Sequence, residues 1–522
     1  MFQQIPLAAR FGLARFEKAF DSAFGSAANP LHHLGGLAFL FLWIVTASGI
    51  YLYIFFETSP EGAFRSVEDL TRVQWYAGGV MRSLHRYASD ALVLAMLLHL
   101  LREFALDRHR GFRWFSWVTG VPLIWLVFFS GINGYWLVWD RLAQYIAIAT
   151  TEWLDWLPLF GEPIARNFLN QNTVSNRFFT LLVFLHIGVP LLLLAFSYVH
   201  IARISRPKTN PPRSLVVGTL AALLVLAVVK PALSQGPADL GTVTASVALD
   251  WFFLFLYPLF DRLGHGAVWA IAGGATLLLV ALPWLPPKRT GPVAVVDPKN
   301  CNGCGRCFAD CPFGAVIMQP HPDKSGHKLA VVDAALCGAC GICAGACPSS
   351  TPFRSVEELV TGIDMPQLSV HALRAEVEQA LTGLSGDARV VVFGCDCAAD
   401  VQALKGPGVA TFSLICTAQL PPAFVDYVLV GGRADGVLIT GCQQGDCWFR
   451  FGNTWVEERF RHAREPHLRT HAARERVHVA WAGLADSKAL ARELEAYRAR
   501  LRALPPAAPP PAYIKRRKVI HG

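Results

Sequence analysis

At 522 residues the chain has room for several domains, and 53% hydrophobic against 16% charged residues points to a membrane protein rather than a wholly soluble one. The net charge of +9 gathers in loops beside apolar segments and in the tail, so it is not the footprint of a nucleic-acid binder. None of the 13 cysteines precedes Cys301, which argues against a secreted disulfide scaffold and suits a reducing cytosolic face.

Residues 1–30 form a basic amphipathic lead with Arg10, Arg15 and Lys18, without the apolar core and small-residue cleavage site of a signal peptide. Six apolar segments follow, over Leu34–Phe56, Val80–Phe104, Trp114–Trp139, Phe178–Ile204, Leu215–Leu233 and Gly266–Leu285. Each is long enough, or nearly so, to cross a hydrocarbon core of about 30 Å. Basic residues gather after the second (Arg102, Arg108, Arg110, Arg113), the fourth (Arg203, Arg206, Lys208, Arg213) and the sixth (Lys288, Arg289). The opposite connections hold Glu57, Glu61, Glu68, Asp69, Asp140, Glu152, Asp155 and Glu162. This asymmetry places both termini in the cytoplasm, and the expected location is a bacterial inner membrane.

His85 and His99 lie on the second segment with thirteen residues between them, and His186 and His200 repeat that interval on the fourth. Fourteen helical steps cover roughly 21 Å and nearly four turns, so both imidazoles of a helix project to nearly the same side at two depths. Ionisable groups inside spanning helices are unfavourable and functional by default; the plainer reading, hydrogen-bonded core histidines, does not call for two pairs at one spacing. Two such helices make a bis-histidine cage for two stacked haems, His85 with His186 toward the outer face and His99 with His200 toward the inner. Gly35 and Gly49 on the first segment, and Gly120 and Gly134 on the third, share the same interval. Glycine lets a flat, bulky group approach a helix backbone.

With Arg-Ser-Leu-His85, Gly134-Tyr135 followed by Trp139, and His186-Ile-Gly-Val-Pro190, the first 290 or so residues resemble the cytochrome b subunit of quinol-oxidising cytochrome bc complexes. The resemblance implies that Arg82 and Arg102, three residues from the ligands, hold haem propionates, and a homodimer through this portion is the matching assembly. The family's outer quinone site uses Pro-Glu-Trp-Tyr, and the nearest stretch here is Leu249-Asp250-Trp251-Phe252. Asp250 is then the expected proton group at an outer quinone site; a surface acid on an amphipathic helix is the alternative. The family's inner-site residues are replaced by Ser205 and Asn210-Pro-Pro-Arg213, which gives little support to an inner quinone site.

After a stiff Pro283–Pro292 linker come two cysteine runs, Cys301-x2-Cys304-x2-Cys307-x3-Cys311-Pro312 and Cys337-x2-Cys340-x2-Cys343-x3-Cys347-Pro348. In such runs three thiolates grip one cluster and the fourth crosses to the other. Cys301, Cys304, Cys307 and Cys347 are therefore expected to hold one [4Fe-4S], and Cys337, Cys340, Cys343 and Cys311 the second, with zinc as the alternative. The stretch resembles a bacterial two-cluster ferredoxin domain over residues 293–355, followed by a connecting helical segment over 356–387.

From Arg389 on, the apolar runs Val390–Phe393, Thr411–Ile415, Val437–Thr440 and Val477–Trp481 alternate with helical stretches, which predicts a parallel α/β sheet over residues 388–500. Cys395, Cys397, Cys416, Cys442 and Cys447 fall at the ends of the first three strands, where parallel sheets place their sites. Four of the five would hold a [2Fe-2S]; scattered buried cysteines are the alternative. Gly441-Cys442-Gln-Gln-Gly445-Asp446-Cys447 resembles the delta subunit of methyl-viologen-reducing hydrogenase, which implies electron exchange with the flavin of a heterodisulfide-reductase-type protein. The spare thiol is expected to be Cys395 or Cys397, because Cys395-Asp-Cys397 is shorter than the family's Cys-x-x-Cys. Residues 501–522 read as a proline-rich basic tail.

The expected fold is thus multidomain: an all-α transmembrane bundle of about six spans, a small α+β ferredoxin domain and an α/β domain. The expected function is a membrane electron-transfer subunit with one [2Fe-2S], two [4Fe-4S] and two b haems. It would relay electrons between a cytoplasmic flavoprotein, heterodisulfide-reductase-like or NAD(P)H-dependent, and the quinone pool. The alternative is a haem-containing anchor for a hydrogenase, formate or sulfur-compound enzyme, without quinone chemistry of its own.

Overall fold

The computed structural model describes all residues except 1–3, 159–163, 165–168, 170–172, 205–206, 245, 287–290, 355–357, 469–473 and 506–522. Glu162, Ser205, Arg206, Lys288, Arg289 and residues 506–522 of the tail lie outside the described residues. The chain divides into a helical unit, Ala28–Ala202 with Pro207–Lys288, and a mixed unit, which joins Met1–Ala27 and Arg203–Arg206 to Arg289–Gly522.

Helix α1 (Gln4–Phe24) belongs to the mixed unit. The helical unit runs α2 (Leu34–Phe55), α3 (Pro60–Arg72), α4 (Val80–Ala105), α5 (Trp114–Val138), α6 (Arg141–Asp155), α7 (Asn176–Ile201), α8 (Arg213–Val229), α9 (Tyr257–Leu263) and α10 (His265–Ala281). Among the described residues four helical stretches are long and apolar enough to cross a membrane: Pro30–Phe55, Gly111–Val138, Asn176–Ile201 and His265–Trp284. Helix α4 is as long but is interrupted by Arg82, Arg86, Asp90, Arg102 and Glu103. Helix α8, at 17 residues, spans only about 26 Å.

Helix α2 packs along α4, and α5 along α7. Leu42, Val93, Val127 and Leu193 of these four helices meet Phe253 and Leu254 in one core. Apolar side chains such as Ile54, Leu191 and Tyr198 point outward, as helices solvated by lipid require. The acid-rich connections, which read as loops, contain two further helices. Ser59 caps α3 by accepting the Gly62 N–H at 2.9 Å, with Pro60 at the first position. Asp140 caps α6 by accepting the Ala143 N–H at 2.9 Å. Its other oxygen accepts the Gln235 N–H at 2.9 Å, which ties down the irregular stretch between α8 and α9.

In the mixed unit, β1 (Val295–Val296) pairs antiparallel with a later strand, Ile363–Asp364. Then come α11 (Arg306–Asp310), the antiparallel hairpin β2 (Val316–Pro320) and β3 (Lys328–Val332), α12 (Ile342–Ala346), β4 (Ile363–Asp364) and α13 (Val370–Gly383). The remainder alternates β5 (Val390–Cys395), β6 (Val409–Leu414), α14 (Pro422–Leu429), β7 (Gly436–Gly441), α15 (Gly452–Phe460), β8 (Val477–Trp481) and α16 (Ser487–Arg502). These four strands form one parallel sheet in the order β6-β5-β7-β8. Strands β5 and β7 are buried throughout, which explains their unbroken apolar runs. Leu490, Leu494, Tyr497 and Leu501 of α16 close one core of this sheet.

Candidate functional site

Each of the four histidines singled out in the sequence faces a glycine of the neighbouring helix. An added Cβ would stand 3.0 Å from His85 Cε1 at Gly49, 2.7 Å from His186 Cε1 at Gly134, 3.1 Å from His200 Cε1 at Gly120 and 3.6 Å from His99 Cε1 at Gly35. The glycines therefore admit the edges of the imidazoles themselves. His85 Nδ1 lies 3.0 Å from the Val45 carbonyl and His186 Nδ1 lies 3.1 Å from that of Ser130. A ring that donates from Nδ1 to a carbonyl keeps the Nε2 lone pair for a metal. The ring centroids of His85 and His186 are 6.1 Å apart, which leaves room for one metal bonded at about 2 Å to a nitrogen of each. The donor set, its orientation and the glycine clearance fit a bis-histidine haem. His200 Nδ1 has Thr119 Oγ1 at 3.4 Å.

A cavity of ≈ 610 Å³ is lined by Gly49, Arg82, His85, Gly134, His186 and Asp250 among others. That volume lies within the range of cofactor pockets. Arg82 donates to Ser234 Oγ at 2.7 Å and to Thr71 Oγ1, with Glu68 at 3.5 Å. Arg102 is buried, and with Arg108 and Arg113 it surrounds Glu103 at 3.8, 3.6 and 3.6 Å. Asp250 sits in the irregular stretch before α9, buried in the cavity wall. It accepts from Arg86 Nη2 at 2.9 Å and from the Tyr135 hydroxyl. Arg86 also pairs with Asp90, one turn further along α4. Sequence reasoning missed Arg86, Asp90 and Glu103. The available signal was the presence of charges inside a helix-length apolar segment.

In the mixed unit, Cys307 lies within electrostatic reach of Cys347, Cys304 and Cys301, and Cys343 within reach of Cys340, Cys311, Cys337 and Cys307. Cys347 and Cys311, the crossed fourth members, fall within that reach of Cys307 and Cys343 respectively. Gly305 and Gly341, at φ +75° and +74°, turn the chain into α11 and α12 between the cysteines. Burial, with the neighbouring thiols, pushes Cys307 up to about 12 and Cys343 well above the ordinary thiol range. Such sulfurs remain protonated unless a cation takes the proton's place. Among the described residues no three His, Cys, Asp or Glu side chains converge tightly enough for a single ion. A polynuclear cluster accepts thiols spread around a volume, and these sets suit one.

The remaining five cysteines gather at the carboxyl ends of β5, β6 and β7. Cys395 Sγ is 4.0 Å from Cys442 Sγ, and the Cys397 N–H points at Cys395 Sγ at 3.4 Å. A Cβ at Gly452, which opens α15, would fall 2.3 Å from Cys416 Sγ and 3.1 Å from Cys447 Sγ, so only glycine fits there. Cys395, Cys416, Cys442 and Cys447 are buried, whereas Cys397 is half-buried. Cys340 of the second ferredoxin set lies within electrostatic reach of both Cys416 and Cys447. Arg459 fastens the two sites: it pairs with Asp310 at 2.6 Å and donates to the Ala418 carbonyl at 2.8 Å. Asp310 precedes Cys311, and Trp455 Nε1 donates to its carbonyl at 3.1 Å. Helix α1 rests on the Cys442–Cys447 loop. Its Asp21 accepts from Gln443 at 2.6 Å, its Lys18 pairs with Asp486, and its Arg10 lies 5.4 Å over the Trp448 ring. Nothing local in the first thirty residues pointed to that placement.

Three family matches follow the same division. The cytochrome b/b6/petB family matches residues 20–207, the 4Fe-4S dicluster domain residues 287–351, and the methyl-viologen-reducing hydrogenase delta subunit residues 390–505. The chain is 31% identical to cytochrome b6 of Porphyra purpurea over 186 residues, which are 35% of this chain and 86% of that protein. A chain from the solved structure of a hyperthermophilic respiratory complex III is similar at 20% identity with a TM-score of 0.42, over 48% of this chain and 75% of that one. A cytochrome b portion implies haem b, and a dicluster ferredoxin portion implies 4Fe-4S clusters. Through its N-terminal membrane portion the chain belongs to the cytochrome b/b6 family, and it continues into a dicluster ferredoxin region and a hydrogenase-delta-like region.

Proposed function

We propose that this chain is the quinone-reactive, electron-relaying subunit of a membrane oxidoreductase that exchanges electrons with a cytoplasmic flavoprotein. One [2Fe-2S], held by four of the five strand-end cysteines, stands at the flavoprotein end. Next to it are two [4Fe-4S], held by the two crossed cysteine sets. His99 with His200 and His85 with His186 hold the inner and outer b haems, with Arg82 and Arg102 toward the propionates. Asp250 is the proton group of the quinone site.

The observation that carries this reading is the chain of redox-competent residue sets within one polypeptide. The five-thiol site abuts the second ferredoxin set across Arg459 and Asp310, and two glycine-backed histidine pairs occupy the helical unit. The domain limits on this reading are 1–290, 293–355, 356–387, 388–500 and 501–522. Helices α2, α4, α5, α7, α8 and α10 are its six spans, in a bacterial inner membrane with both termini cytoplasmic. The charges of α4 are compatible with crossing because they are bonded to partners inside the helical unit. Bound haems and clusters supply one-electron transfer; the chain's own residues orient the haem-ligating imidazoles, seclude the sulfurs and hold a proton beside the cavity.

The test is purification in native detergent with co-purifying partners, then redox titration of the b-haem bands. Reduction by a quinol analogue is compared with reduction by NAD(P)H. A quinol-driven change in the haem spectrum is the expected result. If neither reagent changes the spectrum with partners present, the quinone link is wrong.

A further inference from the structure

The cavity wall holds more charge than a lone proton group needs. Asp250 is nearly fully buried, with its side chain 4% exposed, and Asp90 is 13% exposed. Both carboxyl groups are bonded to the one guanidinium of Arg86, Asp90 at Nη1 and Asp250 at Nη2. The other titratable groups facing the pair are Tyr135 of α5, which donates to Asp250 and lies 5.2 Å under the Arg86 guanidinium, and Tyr87 of α4. Arg82 is occupied by Thr71, Ser234 and Glu68. Asp140, on the same cavity wall, is satisfied by the N–H groups of Ala143 and Gln235.

Around Arg86 there is therefore one fixed positive charge and two carboxyl groups. With both ionised, an uncompensated negative charge would remain buried at the edge of the membrane, which is strongly unfavourable. Two carboxyl groups held on one guanidinium resolve this by keeping one proton for the pair. Asp250 and Arg86 line the cavity, whereas Asp90, bonded to Arg86, does not. The arrangement thus has an end that can touch a ligand and an end that cannot.

We infer that Asp90 and Asp250 share one proton across Arg86, and that this proton is the one exchanged with a quinone oxygen that reaches Asp250. The inference rests on the quinone reading given above. Reduction of a quinone to the quinol takes two electrons, which bound haems would supply, and two protons. Asp250 gives up the shared proton to one oxygen, water at the membrane surface supplies the other, and the pair reloads through Asp90. Quinol oxidation runs the same steps backward: bound haems would accept the two electrons, one proton enters the ionised pair, and one leaves to water. Asp90 is a positioning and storage residue, because it does not touch the quinone itself.

Redox-difference infrared spectroscopy on the purified haem-loaded protein tests this, with reduction driven electrochemically. The wild-type difference spectrum should contain a carbonyl band of a protonated carboxyl group that shifts in heavy water. D90N and D250N should each abolish it, and D90E should restore it at a displaced frequency. The b-haem absorption bands report whether each variant remains folded and loaded. If D90N fails to load haem, the displaced band in D90E decides instead. A band that survives in D90N, one unmoved in D90E, or none in the wild type overturns the shared proton. Failure of the quinone reading looks different: a quinol analogue would leave the wild-type haems oxidised while the electrochemical band persists.

Discussion

Gly134 makes the tightest of the four glycine–imidazole contacts, and alanine there is the sharpest probe of the His85–His186 pair. A Cβ at 134 would stand 2.7 Å from Cε1 and 3.3 Å from Nδ1 of His186, well inside the carbon–carbon contact distance of about 3.5–4.0 Å. The ring is not free to swing aside. Its Nδ1 is bonded to the Ser130 carbonyl at 3.1 Å, and Ser130 sits on α5, the same helix as Gly134. Either α5 and α7 separate by several tenths of an ångström, or the ring turns and gives up its hydrogen bond. Overpacking a close contact costs about 1–3 kcal/mol, and a lost hydrogen bond adds about 1 kcal/mol. At about 1.4 kcal/mol per factor of ten, G134A should weaken haem retention at this pair by roughly ten- to a few-hundred-fold.

The four contacts also predict an order. G49A and G120A, at 3.0 and 3.1 Å, should be intermediate, and G35A, at 3.6 Å, should stay close to wild type. Gly188 lies on the same helix as His186 with nothing within 4 Å of an added Cβ, so G188A is the control. The assay is the haem-to-protein ratio after purification in mild detergent, with redox titration of the haem bands. Wild-type haem content and potentials in G134A, or a G35A defect as severe as that of G134A, would refute the reasoning.

Three further outcomes are expected in the mixed unit. R459A leaves the Asp310 carboxylate buried with only Arg464, 2.6 Å away and 17% exposed, as counter-charge; the full chain should lose about 3 kcal/mol, near the low end for a broken buried pair, read as a lower unfolding temperature and reduced iron content. Burial would raise the Asp435 carboxyl, but Arg389, bonded to both its oxygens, holds it below the ordinary range. Because the folded value is the lower one, this stabilisation is present above the unfolded value of about 3.9 and fades as pH falls through the folded value. R389M should accordingly cost up to about 1 kcal/mol at pH 7 and almost nothing near pH 2, as compared by denaturant unfolding. Among the five strand-end thiols, Cys397 alone is half-buried, so C397S should keep the [2Fe-2S] electron-paramagnetic signal that C416S, C442S and C447S lose; loss of that signal in C397S would make Cys397 a ligand.

Features with a local period or a fixed spacing were legible in the sequence. The apolar segments match α2, α4, α5 and α7 to within a few residues, and the four strands of the parallel sheet stand where the apolar runs placed them. The cysteines fall at strand ends because the apolar runs stop there. Helices α3, α6 and α9 were hidden, since short polar or mixed helices at a membrane edge resemble loops in composition. The bond from Arg86 to Asp250 joins residues far apart in sequence and leaves no mark in either neighbourhood. The seat of α1 on the Cys442–Cys447 loop escaped notice for the same reason.

Helix α4 shows why its least span-like residues are the informative ones. By composition Arg82, Arg86 and Asp90 make it a poor membrane helix, yet each finds a bonded partner. Several of those partners come from the irregular stretch between α8 and α9. Arg82 takes Ser234, Ser83 accepts the Ala232 N–H at 3.0 Å, and Arg86 takes Asp250. Backbone without regular structure at the edge of a membrane must find polar partners within the protein, and α4 supplies them. The charges that spoil the apolar pattern are thus what pins this stretch and sets Asp250 into the cavity wall. A purely apolar α4 would be a better span, but it would leave the carboxyl group without its seat.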